Sequence, residues 1–430
     1  MVRDEATRYE QFCQFKQQVR GSDSHLIVGI DVAKDRHHAF FGMPTGRTLL
    51  RRLIFENSRD GFEQLTTRAE QLRRQHGLSQ VVYAVEPTGN YHKPLAHWLQ
   101  SRGQMLVLVS NKAIAENRQT LDGRWDKNDT KDSANVADLV CQGKCQFFEK
   151  PEPDIVTLRS LLALRRRLKK YEHALRMQIR NGLIVKYFPE FDALWGSCLE
   201  ENLRLVGECL SPRQIIDMGF DAFVNTVTSK DRGERQLQRL KKIYAAAKTS
   251  VGCPMDEEAR FEAKMIAGRM KNQREKVKET EAHIEAVCRR FMYYHLLRTM
   301  PGFGPIVSAW VLGCIGNPHR FAGRKQVIRL AGLDLNAKRS GKRSDSAVAV
   351  ISKRGNTDLR YALYQASKVA TASDKHFREL FTRYLSGREK ERGIRTKMRV
   401  KLAAKMLVIA WTMMKNETAF NPELLEVNMA

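Results

Sequence analysis

HLIVGID, at His25 to Asp31, and QVVYAVE, at Gln80 to Glu86, are two short apolar segments that each end in an acid. Continuous apolar runs of this length, followed by breakers such as Pro87, predict buried strands of a sheet. If the two strands are neighbours, their final carboxylates project from the same edge of that sheet. These segments therefore predict both a sheet domain and an acidic site at its edge.

The sequence around these two strands completes an α/β pattern. A β-meander is predicted from His38 to Phe41 and from Thr48 to Phe55, with the turn Pro44-Thr45-Gly46 between them. Helices and a strand then alternate, and we place them at Asp60 to His76 (helix), Tyr91 to Ser101 (helix), Met105 to Val109 (strand) and Thr130 to Gln142 (helix). Strands in succession followed by alternation predict an α/β domain over residues 25–150, after an N-terminal extension of residues 1–24.

Long amphipathic helices are predicted beyond Pro151. Apolar residues recur at three- and four-residue steps from Ile155 onward, and a second helix over 257–299 carries Met270, Val277, Ile284 and Phe291 at seven-residue intervals. We interpret residues 151–299 as a coiled-coil arm with a helical insertion at 190–255. Two helices of an ordinary bundle remain the alternative, because seam positions such as Gln273 and Thr280 are polar.

Positive charge is concentrated near the C-terminus. The 430 residues include 74 Lys and Arg against 48 Asp and Glu, a formal charge of +26. The stretch from Arg320 to Lys405 holds 23 basic and seven acidic residues, so it contributes +16 of that total. Such a concentration indicates a face that binds a polyanion, with nucleic acid as the first candidate. We therefore predict a mostly helical, nucleic-acid-binding domain over residues 300–430.

The cysteines and the apolar segments of the sequence indicate the compartment in which the protein works. The eight cysteines have neither the spacing of a zinc site nor that of a disulfide framework, and we expect reduced, mostly buried thiols. Metal binding by Cys141 and Cys145 is the less favoured alternative. The apolar stretch from Met406 to Met414 is too short to span a membrane, and the charged N-terminus is unlike a secretory signal. A cytoplasmic protein without a membrane partner is the expectation.

Two further acids join Asp31 and Glu86. Asp129 and Asp132 are three residues apart at the start of a predicted helix, so they share one helical face. Four converging carboxylates repel one another unless cations lie between them, and hard oxygen ligands suit Mg²⁺ or Mn²⁺. Two such ions would stabilise the attacking and leaving oxygens of a phosphodiester. The plainer alternative for a single acid is a helix cap, which Asp129 could provide.

These residues carry a family resemblance. The stretches GIDVAKD around Asp31, VEPTGNY around Glu86 and KNDTKDSANVADL around Asp129 and Asp132 resemble the DEDD motif of transposases related to the Piv DNA invertase. MPGFGPIVSA and LAGLDLNAKRSGKRSDSAVAVISKRGNTDLRYALYQA resemble the second domain of that family. The resemblance implies a RuvC-like, ribonuclease-H-type N-terminal domain and a C-terminal transposase domain.

The sequence departs little from the family's pattern. Asn128 and Ser133 stand where threonine and alanine are usual, and Asp138 is a fallback ligand. Both aspartates of the pair, Asp129 and Asp132, are kept.

The resemblance also assigns a nucleophile. A serine of the family's second domain joins transiently to DNA, and the matching serine-glycine pair falls on Ser340 and Gly341. Four basic residues surround it and would stabilise charge on the reacting phosphate: Lys338, Arg339, Lys342 and Arg343. With no histidine nearby, the resemblance implies a composite site with the metal-loaded acidic domain. A plain loop turn is the alternative for the pair, and Ser344 and Ser346 are competing nucleophiles.

Partners and further contacts follow from the same resemblance and from the charge pattern. Family members act on donor and target DNA, are guided by a bridge RNA, and work as dimers that pair into tetramers. Phosphate contacts are predicted for Lys353, Arg354 and Arg360, and for a helical stripe that contains Arg392, Arg395 and Arg399, with Lys397, Lys401 and Lys405 on the next stripe. The Met300–Pro305 turn is either a helix-hairpin-helix that contacts phosphate or an ordinary interhelical turn.

We expect a recombinase of an insertion sequence, and three alternatives were weighed. A RuvC-type junction nuclease would keep the acids and use water in place of Ser340. A sugar kinase or actin-like ATPase also has a GIDVAKD-like hairpin, but it needs a second phosphate loop and an adenosine motif that this sequence lacks. A noncatalytic nucleic-acid-binding protein would leave the four acids unexplained.

Overall fold

The structure is a computed structural model, and it describes residues 8–121, 129–148, 152–195, 199–228, 233–336 and 350–425. The chain divides into two compact units. The first comprises residues 1–151 together with the short segment 319–323, and the second comprises residues 152–318 and 324–430.

The first unit is a mixed α/β domain. Its strands are β1 (His25–Asp31), β2 (Arg36–Gly42), β3 (Thr48–Glu56), β4 (Gln80–Val85), β5 (Met105–Leu108) and β6 (Gln146–Phe147). Its helices are α1 (Arg8–Val19), α2 (Arg59–Gln75), α3 (His92–Ser101), α4 (Asn111–Leu121) and α5 (Asp129–Cys141). The predicted strands and helices of this region are confirmed to within two residues, and the largest difference is at β2, which begins two residues earlier than predicted.

A single six-stranded sheet organises this unit, in the order β3-β2-β1-β4-β5-β6. The meander β1-β2-β3 is antiparallel, whereas β4 and β5 run parallel to β1, and β6 is an antiparallel edge strand. Continuous apolar strands such as β1 are expected where both faces of a sheet are covered. The two acids that were predicted at one edge lie at the end of β1 (Asp31) and directly after β4 (Glu86).

Helices cover both faces of the sheet. One buried cluster joins the sheet to α2 and α3 through residues such as Leu65 and Leu95. The other joins the opposite face to α5, and it also contains Phe15 and Val19 of α1. The sequence analysis left residues 1–24 as an extension, yet α1 is anchored in this core, because Phe15 packs beside Phe147 at a ring-centroid distance of 5.2 Å.

The second unit is mostly helical. It contains α6 (Pro153–Met177), a π-helix (Gln178–Ile184), α7 (Val185–Tyr187), α8 (Phe191–Leu194), α9 (Leu199–Cys209), α10 (Pro212–Asp217), α11 (Gly219–Val227), α12 (Glu234–Lys248), α13 (Glu257–Cys288) and α14 (Met292–Arg298). It continues with α15 (Pro305–Ile315), α16 (Arg324–Leu330), β7 (Leu335–Asn336), β8 (Val350–Ile351), α17 (Thr357–Ser373), α18 (Lys375–Leu385) and α19 (Ile394–Asn416). A short 3₁₀ turn lies at Pro422–Leu425, and another, at Pro318–Arg320, leads into the segment 319–323 of the first unit.

Helices α6 and α13 pack against each other in antiparallel directions. Arg165 lies 2.6 Å from Glu281, and Arg274 lies 3.5 Å from Glu172. Residue numbers therefore increase along α6 in the direction in which they decrease along α13. Gln273, a polar seam residue, donates to the carbonyl of Leu168 at 2.8 Å. This bond satisfies the amide inside the interface, which explains how a polar side chain is tolerated there.

The predicted long helix over 257–299 is wrong at its C-terminal end. α13 ends at Cys288, and a separate helix, α14, begins at Met292. Met270, Val277 and Ile284 are buried as their spacing predicted, whereas Phe291 precedes α14 with an extended backbone and is only half-buried. The heptad pattern therefore describes the helix interior but not its end.

The predicted helical insertion at 190–255 folds as α8 to α12 with a core of its own. Phe191, Trp195 and Phe223 are fully or almost fully buried in a cluster that continues onto α13 through Ile266 and Met270. The insertion therefore packs against α13 through apolar contacts within the second unit. The hydrophobic residues of the insertion are explained by this core, without any chemical role.

No helix in the described part of the chain is long and apolar enough to cross a bilayer. All seven cysteines that the structure describes are free thiols. Burial raises the pKa of both Cys141 and Cys145 to about 11, which keeps these two side chains protonated at neutral pH. Of the seven, Cys145, Cys209 and Cys288 are buried, three are half-buried and Cys253 is exposed, so the prediction of mostly buried thiols holds only in part.

Candidate active site

A cavity of about 420 Å³ opens at the edge of the sheet in the first unit, where β1 and β4 end. It is lined by Asp31, Val32, Ala33, His38, Glu86, Thr88, Asn111, Ile114, Ala115, Arg118 and Asp132. Three of the four predicted acids therefore share one cavity. This is the convergence that the ends of the two apolar strands predicted.

Strand register places Asp31 beside Glu86. β1 and β4 are parallel, and their last aligned pair is Ile30 with Val85. Asp31 and Glu86 are each the next residue in the chain, so both leave the sheet at the same edge and toward the same face. Across the antiparallel ladder, His38 is the direct partner of Asp31, which brings an imidazole to the cavity as well.

Gly29 allows the third acid to approach. A Cβ atom at this position would lie 2.2 Å from the carbonyl oxygen of Ser133 and 2.6 Å from the amide nitrogen of Ala137. Only glycine therefore lets the backbone of α5 lie this close to β1. Asp132, the residue before Ser133, is consequently held at the cavity with its side chain almost fully buried.

A buried amide network fixes α4 against α5. Asn117 donates to the side-chain oxygen of Asn135 at 2.7 Å, and Asn135 donates to the carbonyl of Ile114 at 2.9 Å. Asp138, the fallback ligand, does not line the cavity, and its carboxylate accepts from Asn117 at 2.8 Å and from Gln142 at 2.6 Å. Asp138 thus belongs to the scaffold that orients α4 beside the acids.

Among the described residues that line the cavity, Arg118 is the arginine or lysine that faces the acids. Arg118 Nη2 lies 2.6 Å from Asp132 Oδ1. Neither this oxygen nor Arg118 Nε has a hydrogen-bond partner within the described residues, so the contact is an ion pair without hydrogen-bond alignment. A buried carboxylate oxygen that accepts no hydrogen bond is costly unless a cation compensates it. The arrangement therefore creates a strong local demand for positive charge.

The turn that follows Asp31 is held by a buried histidine. His37 Nδ1 accepts a hydrogen bond from the backbone amide of Ala33 at 3.2 Å. The ring stacks on Phe62 and meets Phe55 edge-on. Burial is the largest influence on the pKa of His37 and lowers it below the ordinary 6.5, with opposition from a hydrogen bond to Asn57 and reinforcement from His38. His37 is thus held neutral, which is the form in which Nδ1 can accept.

The donor set fits a hard divalent cation, although no ion site is closed by the described side chains. Among the residues that the structure describes, no three His, Cys, Asp or Glu side chains are spaced to hold one metal ion. Asp129 begins α5, one turn before Asp132, but its side chain lies outside the described part. Carboxylate oxygens, including Asp132 Oδ1, which accepts no hydrogen bond from the described residues, are nevertheless the ligands that Mg²⁺ prefers.

The predicted nucleophile and its neighbours lie outside the described residues. Ser340, with Lys338, Arg339, Lys342 and Arg343, falls in the interval 337–349, as do Ser344 and Ser346. β7 and β8 pair antiparallel on either side of this interval, with Leu335 opposite Ile351. The interval that carries the predicted serine is therefore flanked on both sides by one two-stranded ribbon of the second unit.

The predicted phosphate contacts that follow β8 differ in their surroundings. Lys353, which adopts a left-handed backbone with φ of 55°, and Arg354 are exposed. Arg360 is instead half-buried on α17 and donates to the carbonyl of Ala331 at 2.8 Å. Lys353 and Arg354 remain open to a ligand, whereas part of the Arg360 guanidinium supports the fold.

The predicted basic helix is corrected in two places. Arg392 lies in the turn before α19, which begins at Ile394, so it is not part of the helical stripe. Arg395 is exposed, whereas Arg399 is half-buried with its guanidinium 5.5 Å from the ring centroid of Phe381. Lys405, expected among the exposed cations, is buried and donates to the carbonyl of Leu425. Burial lowers the pKa of Lys405, with Arg383 and Lys401 adding to the effect.

The Met300–Pro305 turn supports packing more than phosphate approach. Gly302 has a φ of 83°, and a Cβ atom there would lie 2.4 Å from the carbonyl oxygen of Ala366 in α17. This glycine is therefore required by a close contact inside the second unit. The finding favours the ordinary interhelical turn over the phosphate-binding hairpin.

Three residues that line the cavity were not predicted from the sequence as part of the site: Arg118, His38 and Asn111. Two of them lie on α4, a helix that was not predicted. A signal was present, because Ser110 caps the helix by accepting from the amide of Ala113 at 3.1 Å, and serine before a polar-apolar run is a helix start. His38 could have been found from the meander, whose short turn sets it opposite Asp31.

Comparison with protein families agrees with this architecture. A model of DEDD transposases of the IS110 type, described as a transposase, matches residues 28–189, and a model described as the transposase IS116/IS110/IS902 family matches residues 294–382. Together they cover more than half of the chain, including all three acids of the cavity. The molecule is a DEDD-type transposase by these matches.

Two curated relatives extend the similarity along almost the entire chain. One is an uncharacterized 44.8 kDa protein of insertion element IS116 from Streptomyces clavuligerus, which is 22% identical over 92% of this chain and 96% of its own length. Another is the transposase for insertion sequence element IS1111A from Coxiella burnetii, which is 21% identical over 94% of each chain. The chain belongs to the IS110/IS116 family of insertion-sequence transposases.

Proposed function

We propose that this transposase cuts and rejoins DNA strands with divalent metal ions held by Asp31, Glu86, Asp129 and Asp132, and with Ser340 as the nucleophile. The observation that carries the first part is the lining of one cavity by Asp31, Glu86 and Asp132. A helix cap explains a single acid, but it does not explain three acids from two strands and a helix in one cavity. Their convergence is expected where a phosphodiester reacts.

The order of strands supports a RuvC-like, ribonuclease-H-type interpretation of the first unit. An antiparallel meander continues into parallel strands across the central strand β1, and the acids lie at the ends of β1 and β4. The antiparallel packing of α6 on α13 likewise supports an arm-like coiled coil. The RuvC-like interpretation agrees with the family's DEDD pattern, and both interpretations remain part of this proposal.

Bound Mg²⁺ or Mn²⁺ would supply electrostatic stabilisation of charge that develops on the oxygens of the reacting phosphate. The residues of the chain have separate tasks. Asp31 and Glu86 present carboxylates from the rigid sheet edge, and His37 holds the Val32–Ala33 turn beside them. Asp132 is held by the close approach at Gly29. A rigid scaffold of this kind keeps the ligands in place without reorganisation during the reaction.

The serine step conserves bond energy. Attack by Ser340 Oγ on phosphorus forms a phosphoserine ester and breaks the bond between phosphorus and the leaving 3′ or 5′ oxygen, which takes a proton. A strand hydroxyl from the new partner then attacks the same phosphorus and releases the serine, which regains its proton. A neutral hydroxyl needs activation, so the proposal requires the acidic site to act on Ser340 in the assembled complex. Lys338, Arg339, Lys342 and Arg343 would stabilise the phosphate charge.

Nucleic-acid partners follow from charge and from the family. DNA is both donor and target, and a bridge RNA encoded beside the gene is the proposed guide, with dimers that pair into tetramers as the working assembly. The exposed side chains of Lys353, Arg354 and Arg395 support phosphate contact in the second unit. The +16 charge between Arg320 and Lys405 supplies the general attraction.

Replacement of the acids tests the metal part of the proposal. Asp31→Asn, Glu86→Gln, Asp129→Asn and Asp132→Asn should each slow Mg²⁺-dependent cleavage of DNA that carries the element ends by on the order of a thousandfold, while they retain nucleic-acid binding. Asp60→Asn, which changes an exposed aspartate of α2, should cleave normally. Normal cleavage by both Asp129→Asn and Asp132→Asn would refute the assignment of the helix pair.

A further inference from the structure

An open cavity of about 380 Å³ lies between α6 and α13 in the second unit, and no part of the proposed reaction uses it. We call it the arm pocket. It is lined by Tyr171, Ala174, Leu175, Gln178, Arg269, Asn272, Gln273 and Lys276. We infer that the arm pocket binds an unpaired nucleotide of a single-stranded nucleic acid, with the base on Tyr171 and the phosphates at Arg269 and Lys276.

The aromatic side of the pocket is uncovered. Tyr171 is 63% exposed, and among the residues that the structure describes no ring or cation is in contact with its own ring. Leu175, one turn further along α6, is half-buried against the core of the second unit and supplies an apolar floor. An exposed ring above such a floor provides a stacking surface for a planar base.

Two unpaired cations stand at the rim. Arg269 and Lys276 are exposed and seven residues apart on α13, about 10 Å along the helix. Neither has an acidic partner within the described part of the chain. Their positive charge is therefore available to an anionic ligand at both ends of the pocket.

Some cations of the same two helices are neutralised, such as Arg165, which is paired with Glu281. Others, such as Lys170 and Lys271, are exposed and have no acidic partner among the described residues. The arm pocket is therefore distinguished by the combination of unpaired cations with the exposed ring of Tyr171.

Amide side chains supply hydrogen-bonding groups between the cations. Gln178 and Asn272 are exposed, and Gln273, whose Nε2 donates to the carbonyl of Leu168, also lines the pocket. Amides offer a donor and an acceptor together, which suits the edge of an unpaired base. Gln178 also begins the π-helix, a departure from α-helical geometry that is frequent at functional sites.

Single-stranded nucleic acid fits this combination better than a second copy of the chain. A twofold contact between two arm pockets would bring Arg269 and Lys276 near their own equivalents, and like charges across an interface oppose association. A duplex offers phosphates but keeps its bases stacked inside, so it would leave Tyr171 unused. RNA and DNA strands share the recognised chemistry, and experiment separates them.

Binding of fluorescein-labelled oligonucleotides to the full-length protein, measured by anisotropy in EDTA, tests the inference. The probes are a short single-stranded RNA, the DNA strand of the same sequence and its duplex. Tyr171→Ala should weaken single-strand binding roughly five- to a hundredfold, whereas Tyr171→Phe keeps the stacking surface and should bind normally. Replacement of Arg269 and Lys276 by Gln should lower the salt slope for single strands by about 1.4, from about 0.7 for each phosphate contact.

Arg213→Gln is the matched control, because Arg213 is a 92%-exposed arginine of the same unit on α10, outside the pocket. Duplex binding should be the same in Tyr171→Ala as in this control. Loss of RNA binding alone would identify the occupant as RNA, and loss of both single strands would identify any unpaired strand. Photocrosslinking of a 4-thiouridine RNA should label the peptide that contains Tyr171 in the wild type.

Two results would overturn the inference. The first is that the pocket variants bind single strands with the same affinity and the same salt slope as Arg213→Gln. The other is an altered oligomeric mass in light scattering with unchanged binding, which would make the pocket a contact between chains. The inference shares only a nucleic-acid partner with the proposed function. Because these assays contain no metal and measure no cleavage, failure of the serine or carboxylate assignments would leave their outcome unaffected.

Discussion

Arg118 Nη2 lies 2.6 Å from Asp132 Oδ1, at a carboxylate that is almost fully buried in the acidic cavity. The protein itself therefore places a positive charge where the proposed function requires divalent cations. Since the oxygen accepts no hydrogen bond within the described residues, electrostatics is its main compensation. Arg118 and a metal ion would consequently compete for Asp132.

Removal of the Arg118 charge should strengthen metal binding. We expect Arg118→Gln to bind Mn²⁺ roughly three- to tenfold more tightly than the wild type, which corresponds to ~1 kcal/mol, the repulsion between two unit charges about 4 Å apart that water screens. Isothermal titration calorimetry or Mn²⁺ electron paramagnetic resonance measures this affinity without any DNA. Arg74→Gln, which removes an exposed arginine on α2 of the same unit, should bind Mn²⁺ as the wild type does. Equal affinities in the two variants would contradict competition at Asp132.

The close approach at Gly29 should be intolerant of any side chain. In Gly29→Ala the new Cβ would overlap the backbone of Ser133, 2.2 Å away, so α5 must shift from β1. We expect a loss of roughly 1 to 3 kcal/mol or more in the free energy of unfolding, measured by chemical denaturation. Gly268→Ala on α13, where a Cβ would meet open space, should be neutral or stabilise by up to about 1 kcal/mol. Equal stabilities would show that α5 does not pack on β1 this closely.

Much of the first unit could be predicted because local pattern and tertiary environment agree. The interior of β1, from Leu26 to Ile30, has no polar side chain and is buried, so its sequence determined its bounds. The end of α13 could not be predicted, since Phe291 continues the heptad although the backbone has already left the helix. α1 was missed because its few apolar residues, such as Phe15, gain their significance only from the sheet edge that they cover. Such contacts are nonlocal and leave no periodic signal.

Buried His37 should make the first unit sensitive to acid. Its pKa is lowered by burial, so the unfolded chain binds a proton more readily than the folded protein below pH 6.5. The stabilising contribution is complete above that pH and is lost as the pH falls through 6.5 toward the lower folded value. His37→Gln, which retains an acceptor, should show a shallower fall in unfolding free energy between pH 7.5 and pH 5.5. Identical pH profiles for the two proteins would exclude His37 as the source.

Exposed cations of the second unit should carry part of the salt dependence of duplex binding. Replacement of Lys353 and Arg354 by Gln should lower the slope of log affinity against log salt by up to about 1.8, from about 0.9 for each phosphate contact. Arg399→Gln should change the slope less, because this side chain is half-buried over Phe381. Filter binding or anisotropy at several salt concentrations measures the slopes. An unchanged slope in the Lys353 and Arg354 variant would place the DNA on another surface.

The residues of the candidate site could be predicted where an acid directly follows or ends an apolar strand. Asp31 and Glu86 were found because an apolar run ends in an acid, and Asp132 because it shares a helical face with Asp129. Arg118 could not be assigned, since its role depends on the amide network that sets α4 against α5. Lys405 was misplaced for a related reason: helical periodicity cannot foresee that the Pro422–Leu425 turn covers it.

Formation of a covalent protein-DNA adduct tests the central claim most directly, because hydrolysis never joins the protein to DNA. The protein is incubated with Mg²⁺, labelled DNA of the element ends and RNA transcribed from the flanking noncoding sequence, and is then resolved on a denaturing gel. We predict an adduct that survives detergent, requires the carboxylate of Asp31, and is absent in Ser340→Ala but present in Ser344→Ala and Ser346→Ala. Cleaved DNA without any adduct would contradict the account and would identify a hydrolytic nuclease.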